Sequence, residues 1–213
     1  MKITKYEHAC MAVQKSGSTI IIDPGAFTTP LNDVTGVIAI VVTHEHADHW
    51  TPEQLRRILE RNPDARIFGP GGVAAAVIDH DLTVETVKNG DELQVGPFSL
   101  KFIGEKHAVI HKSIPVIDNV AVLIDDSFYY AGDSFTLPNV PVDTLAAPIG
   151  APWLKVGEAI DYVLAVAPRR AFPVHEAVLS QIGISINSER LESATQQGGG
   201  EYVKLAAGQS LDL

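Results

Sequence analysis

Hydrophobic positions in the first third of the chain come in short runs broken by turn residues. Lys2–Tyr6, Cys10–Lys15 and Ser18–Asp23 carry β-branched residues around breaks such as Ser16-Gly17, a pattern that predicts short strands. Val37–Val42 is apolar at every position, as expected of a central strand covered on both faces. The period then changes. Thr51 is a good N-cap, Pro52 suits a first helical position, Gln54 completes a capping-box pattern, and Leu55, Ile58 and Leu59 form an apolar stripe. A helix is therefore predicted from about Pro52.

A strand at Ala65–Phe68 and a helix near Val73–Asp79 follow. Val84–Val87, Glu92–Val95, Phe98–Ile103, Val120–Asp125 and Phe128–Ala131 read as a second set of strands. Val156, Ala159, Ile160, Val163, Leu164 and Ala167 keep helical spacing and predict a helix over Val156–Ala167, ended by Pro168. A strand at Ala171–Val174 and a helix over about Ser188–Gln197, capped by Asn187 or Ser188, complete the pattern. Gly198-Gly199-Gly200 then breaks the chain before a last strand. Two blocks of strands, each followed by helices, fit two sheets faced outside by helices, an α/β arrangement. No linker, repeat or low-complexity tract divides residues 1–213, so a single domain is expected.

Composition narrows the classes of function. Of the 213 residues, 46% are hydrophobic and 20% charged, a globular mix. A net charge of −10 with scattered Lys and Arg argues against a nucleic-acid partner. No apolar run approaches a membrane span and no signal-like segment follows Met1, so the cytoplasm is the default compartment and no membrane partner is expected. The lone cysteine, Cys10, excludes an intrachain disulfide and a multi-cysteine zinc site. Oligomeric state is not legible.

The densest chemistry lies directly after the apolar strand, in Thr43-His44-Glu45-His46-Ala47-Asp48-His49-Trp50. In extended backbone His44 and His46 face the same way and can converge on one ion. Asp48 and His49, where the chain turns into the helix, could serve a second. A loop of merely solvated histidines is the plain alternative, but three histidines and an aspartate within six residues argue for metal. His107, Asp133 and His175 each stand just past a predicted strand end, where sheet folds place functional residues. Taken singly, each also reads as an ordinary turn or surface residue.

The series His44-x-His46-x-Asp48-His49, then His107, Asp133 and His175, resembles the metallo-β-lactamase fold superfamily in order and spacing. Tyr6-Glu7-His8-Ala9-Cys10 and Ile21-Ile22-Asp23-Pro24 resemble its compact branch of metal-dependent hydrolases related to ascorbate-6-phosphate lactonases. The resemblance implies a four-layer αββα sandwich with the site at one sheet edge. It implies a first metal on His44, His46 and His107, a second on Asp48, His49 and His175, and Asp133 bridging both. Zinc β-lactamases usually carry Arg at the position of His49 and Cys at that of Asp133, which points away from antibiotic hydrolysis. Nucleases and glyoxalase-like enzymes of the superfamily carry extra regions for which this chain has little room. The closer branch often has Gly where this chain has Glu7, which weakens the transfer of a role to His8.

The implied chemistry is hydrolysis of a small-molecule ester, lactone or phosphate-bearing substrate by a hydroxide shared between two divalent ions. Zinc is expected, with manganese, iron or nickel as alternatives for a nitrogen and oxygen site. Asp48 is the catalytic candidate, orienting the nucleophile and later carrying a proton. Asp23 either holds a ligand histidine or simply belongs to an Asp23-Pro24-Gly25 turn. His8 is either a pocket-edge hydrogen-bonding residue or a buried, satisfied one. His111 is either a substrate contact or a loop residue. The proline-rich stretch from Asp133 to Lys155 is read as lining the pocket mouth, with Phe135, Trp153 and Lys155 facing substrate, or as a surface connection. Two other classes remain: an iron-dependent redox enzyme on the same fold, and a metal-binding protein without catalysis.

Overall fold

The computed structural model describes residues 1–213. Two seven-stranded sheets stack face to face. The first contains β1 (Lys2–Lys5), β2 (Met11–Lys15), β3 (Ser18–Ile22), β4 (Val37–Val41), β5 (Arg66–Gly69) and β6 (Glu85–Thr86) in that order. The second runs in order from β7 (Glu92–Val95) through β8 (Phe98–Ile103), β9 (Ala121–Ile124), β10 (Phe128–Tyr130), β11 (Thr144–Pro148) and β12 (Arg170–Val174) to β13 (Glu201–Tyr202). The C-terminal β14 (Ser210–Asp212) crosses back to pair antiparallel with β1 in the first sheet.

Period-two alternation divides the side chains between layers. On β3, Ile20 and Ile22 face the space between the sheets, while Ile21 packs outward. Phe68, Phe98, Phe102, Phe128, Tyr130 and Phe172 fill the inter-sheet core. Outside the first sheet, α1 (Pro52–Arg61) and α2 (Gly71–Ala76) bury Leu55, Ile58 and Val73 against Ile21, Ile40 and Val42. Outside the second, α3 (Val156–Val166) and α4 (Gln181–Gln197) bury Ala159, Val163, Leu191 and Ala194 against Leu145, Ala147 and Ala171. The result is the four-layer αββα sandwich that the family resemblance implies, its two sheets faced outside by helices as the order of elements predicts. No helix is long and apolar enough to cross a membrane.

The local departures have physical reasons. The Thr51 hydroxyl accepts the Gln54 amide at 3.1 Å, half of the expected capping box. The Gln54 side chain does not close the other half. It is buried and turned to the 28–31 loop, accepting from Leu31 N–H at 3.1 Å and donating to Thr28 O at 2.9 Å. The helix expected at Val73–Asp79 starts earlier, at Gly71, and gives way to a 3-10 turn over Ile78–His80. The last helix begins at Gln181, with the Ser180 hydroxyl accepting Gly183 N–H, rather than at Ser188. The stretch from Asp133 to Lys155 is not one connection, because it holds the fully buried strand β11. The last strand is in fact two, β13 and β14.

Strand direction positions the site. β3, β4 and β5 are mutually parallel, as are β10, β11 and β12. The chain leaves β3 at Asp23, β4 at the His44–His49 loop, β10 at Asp133 and β12 at His175. Loops carrying Asp23, His44–His49, Asp133 and His175, at the carboxyl ends of parallel strands, thus meet at one edge of the sandwich.

Candidate metal centre

Seven of the side chains singled out in the sequence, joined by His8, form two touching clusters. His44, His46, His107 and Asp133 offer one ligand atom each, all within 4.8 Å of one another, and so do His8, Asp48, His49 and His175. Asp133 joins the two. Its Oδ1 lies 3.2 Å from His49 Nε2, and its Oδ2 lies 3.2 Å from His175 Nε2 and 3.4 Å from His107 Nε2.

Hydrogen bonding outside the clusters decides which ring nitrogens face inward. His49 Nδ1 donates to Asp23 Oδ2 at 2.7 Å, His107 Nδ1 to Ala108 O at 2.6 Å, and His175 Nδ1 to Gly150 O at 2.6 Å. The Thr43 hydroxyl donates to Asp23 Oδ2 at 2.7 Å, so its oxygen is left to accept from His44 Nδ1 at 3.1 Å. Each of these four rings therefore turns its Nε2 toward the cluster. His8 is wired the opposite way. Its Nδ1 accepts the Ala177 amide at 3.3 Å, so its Nε2 carries the proton and donates to Asp48 Oδ2 at 3.1 Å. In this tautomer His8 holds Asp48 and has no inward lone pair.

This arrangement fits divalent ions. His44 Nε2 and His46 Nδ1 stand 3.1 Å apart, and His49 Nε2 and His175 Nε2 stand 3.2 Å apart. Two nitrogens bound about 2 Å from one tetrahedral ion are separated by about 3.3 Å. His107 Nε2 and Asp133 Oδ1 are buried with no hydrogen-bond partner, and burying such atoms is costly unless a ligand satisfies them.

The charges are strongly coupled. Burial opposes the Asp133 carboxylate, but His49 and His175 outweigh it and hold its pKa well below the usual range. Burial likewise opposes charge on Asp48, and the His8 hydrogen bond with His49 and His175 reverses that and lowers its pKa. His49 is raised well above an ordinary histidine, since Asp133 and Asp23 overcome its burial. His44, buried and beside His49, is pushed well down.

The backbone beneath is tightly fitted. A Cβ on Gly25 would come within 1.8 Å of the Asp48 carbonyl oxygen, so the 23–25 turn and the ligand loop touch backbone to backbone. Asn119, which the sequence pattern does not single out, places Asp133. Its Oδ1 accepts Asp133 N–H at 3.0 Å while its Nδ2 donates to Ala131 O at 2.9 Å. Thr43 and Asn119 carry no sequence signal beyond their neighbourhood to ligands.

Of the remaining candidates, His111 and Lys155 lie away from the clusters and Trp153 reaches Asp133. His111 is exposed, and its Nδ1 is engaged by the Ser113 hydroxyl at 2.7 Å and amide at 3.2 Å, within its own loop. Lys155 is exposed at the start of α3, 3.8 Å from Glu158, and does not line the site. Phe135 packs on Trp153 with ring centroids 5.1 Å apart. Trp153 is buried instead of facing a substrate, and its indole N–H donates to Asp133 Oδ2 at 2.6 Å.

The family described as the Beta-lactamase superfamily domain matches residues 2–175, a span that contains every residue of the two clusters. The chain belongs to this superfamily. Protein Rv0786c of Mycobacterium tuberculosis is 37% identical over 92% of this chain and 93% of its own length. A UPF0173 metal-dependent hydrolase of Metallosphaera sedula is 25% identical over 97% of this chain and 96% of its own. Igni18, a metallo hydrolase from Ignicoccus hospitalis, has 17% identity and a TM-score of 0.75, covering 99% of this chain and 97% of that one, and so shares the metallo-β-lactamase fold.

Proposed function

We propose that this superfamily member is a binuclear metal-dependent hydrolase of a small carboxylic ester or lactone. The observation that carries the reading is the pair of ligand clusters joined through Asp133, with buried ligand atoms that have no protein partner. Divalent ions held there would polarise the substrate carbonyl and lower the pKa of water toward neutrality. His44, His46 and His107 would hold one ion, and Asp48, His49 and His175 the other.

The chain's own residues supply orientation and proton handling. His8 donates to Asp48 Oδ2, which also lies 3.5 Å from His175 Nε2 and 3.8 Å from His49 Nε2. Asp48 Oδ1 takes none of these contacts and is the atom that would accept a proton from water and return it to the leaving alkoxide. Phe27 stands half exposed against the His8 ring, centroids 5.0 Å apart, and gives the second cluster an apolar flank. The charged groups that act most strongly on Asp48, Asp133 and the cluster histidines are one another and Asp23, with no Lys or Arg among them. This supports an acyl substrate over a phosphate-bearing one.

The test is a panel of lactones, aryl esters and phosphodiesters assayed with metal-loaded protein and with Asp48→Asn. An ester or lactone should turn over, and the variant should be slower by about 10²–10⁴-fold. Equal rates would remove Asp48 from the mechanism, and phosphodiester turnover alone would replace the substrate class.

A further inference from the structure

Trp153 sits on the connection between β11 and α3, and its ring is wedged into the metal centre. Its face and edges meet His107 at 6.0 Å and His175 at 6.5 Å between centroids, one histidine from each cluster, and Phe135 backs it at 5.1 Å. An indole nitrogen is a donor only and cannot ligate a metal. Buried as it is, Trp153 Nε1–H needs an acceptor, and it has taken Asp133 Oδ2 at 2.6 Å.

That choice of acceptor constrains how Asp133 can act. A carboxylate oxygen has two in-plane lone pairs. A single oxygen bridging two ions would use both, and here the indole occupies one on Oδ2. Asp133 Oδ1 is different: it is buried, has no hydrogen-bond partner, and lies 3.2 Å from His49 Nε2. Oδ2 lies between the clusters, 3.2 Å from His175 Nε2 and 3.4 Å from His107 Nε2, and with the indole on it has room for one ion; Oδ1, beside His49, is left for the other.

We propose that Trp153 is a positioning residue that locks the Asp133 carboxylate so that its two oxygens serve the two ion positions separately, and that it thereby sets the affinity of the centre for metal. The inference rests on the binuclear reading above. Trp153→Phe keeps the ring packed against Phe135 and the two histidines and removes the N–H alone. Losing a partner that orients a ligand typically costs 10–100-fold in metal affinity.

Zinc and cobalt affinities of the wild type and Trp153→Phe are to be measured by chelator competition. Melting temperature is followed in the metal-free and metal-loaded states. The variant should bind 10–100-fold more weakly, its melting temperature should rise less on loading, and its cobalt absorption spectrum should change with the altered carboxylate coordination. A fall in melting temperature of equal size with and without metal, at unchanged affinity, makes Trp153 a packing residue only and overturns the proposal. Should Trp153→Phe not fold, Trp50→Phe isolates the Trp153 emission, which should shift when zinc binds; a constant emission overturns it equally. Wild-type protein that takes up no ion removes the metal-centre reading itself, an outcome distinct from a wild type and variant that bind alike.

Discussion

Asp23 Oδ2 accepts from His49 Nδ1 at 2.7 Å, and neither side chain reaches solvent. Asp23 also takes the Thr43 amide at 2.8 Å and the Thr43 hydroxyl at 2.7 Å. One carboxylate thus orients the His49 ring of the second cluster and, through Thr43, the His44 ring of the first. Its backbone sits at φ 45°, a region that asparagine tolerates. Asp23→Asn keeps that backbone but cannot accept from all three donors. Metal affinity should fall by about 10–100-fold in chelator competition. Unchanged affinity would show that the Asp23 turn is structural alone.

Gly25 makes a second prediction. A methyl group there meets the Asp48 carbonyl oxygen at 1.8 Å and His49 N at 2.5 Å, both backbone atoms with no freedom to swing away. Gly25→Ala should cost at least about 1–3 kcal/mol of stability and should weaken metal binding by moving the ligand loop. Gly157 in α3 has nothing within 4 Å of its Cβ position and is the control. Equal melting temperatures for the two alanine variants would contradict the contact.

Much of this was legible from spacing alone, and what was not has definable causes. The ligand loop declared itself because His44, His46, Asp48 and His49 sit in six residues after an all-apolar strand. β11 is hidden because Pro138, Pro141 and Pro152 crowd its flanks and Pro148 ends it, so Thr144–Pro148 reads as connection. The start of α4 was hidden because Ile182 and Ile186 are exposed and Gly183 sits in its first turn, which blurs the apolar stripe. β14 is three residues long, and only its pairing with β1 makes it a strand. The Trp153–Asp133 bond joins residues 20 apart, and no local pattern encodes it.

The pH dependence of stability can be read at Asp143, away from the metal centre. Burial opposes its charge, but Arg170 and Arg169, each within 2.5 Å of a carboxylate oxygen, together with the Thr144 hydroxyl, outweigh it and hold its pKa at about 2 against a usual 3.8. A carboxylate depressed in the folded state stabilises above its unfolded pKa, and that contribution disappears as pH falls through its folded value. The melting-temperature difference between wild type and Asp143→Asn should be full at neutral pH and should shrink between about pH 4 and about pH 2. A difference constant across that window would contradict the ion-pair assignment.

The central claim is that Asp133 joins two ion positions into one hydrolytic centre. The most direct measurement is the rate of ester or lactone hydrolysis as zinc is titrated back into chelated protein. The account predicts negligible turnover without metal and a rate that rises to a plateau at two equivalents per chain. Hydrolysis that survives chelation, or a plateau already reached at one equivalent, would contradict it.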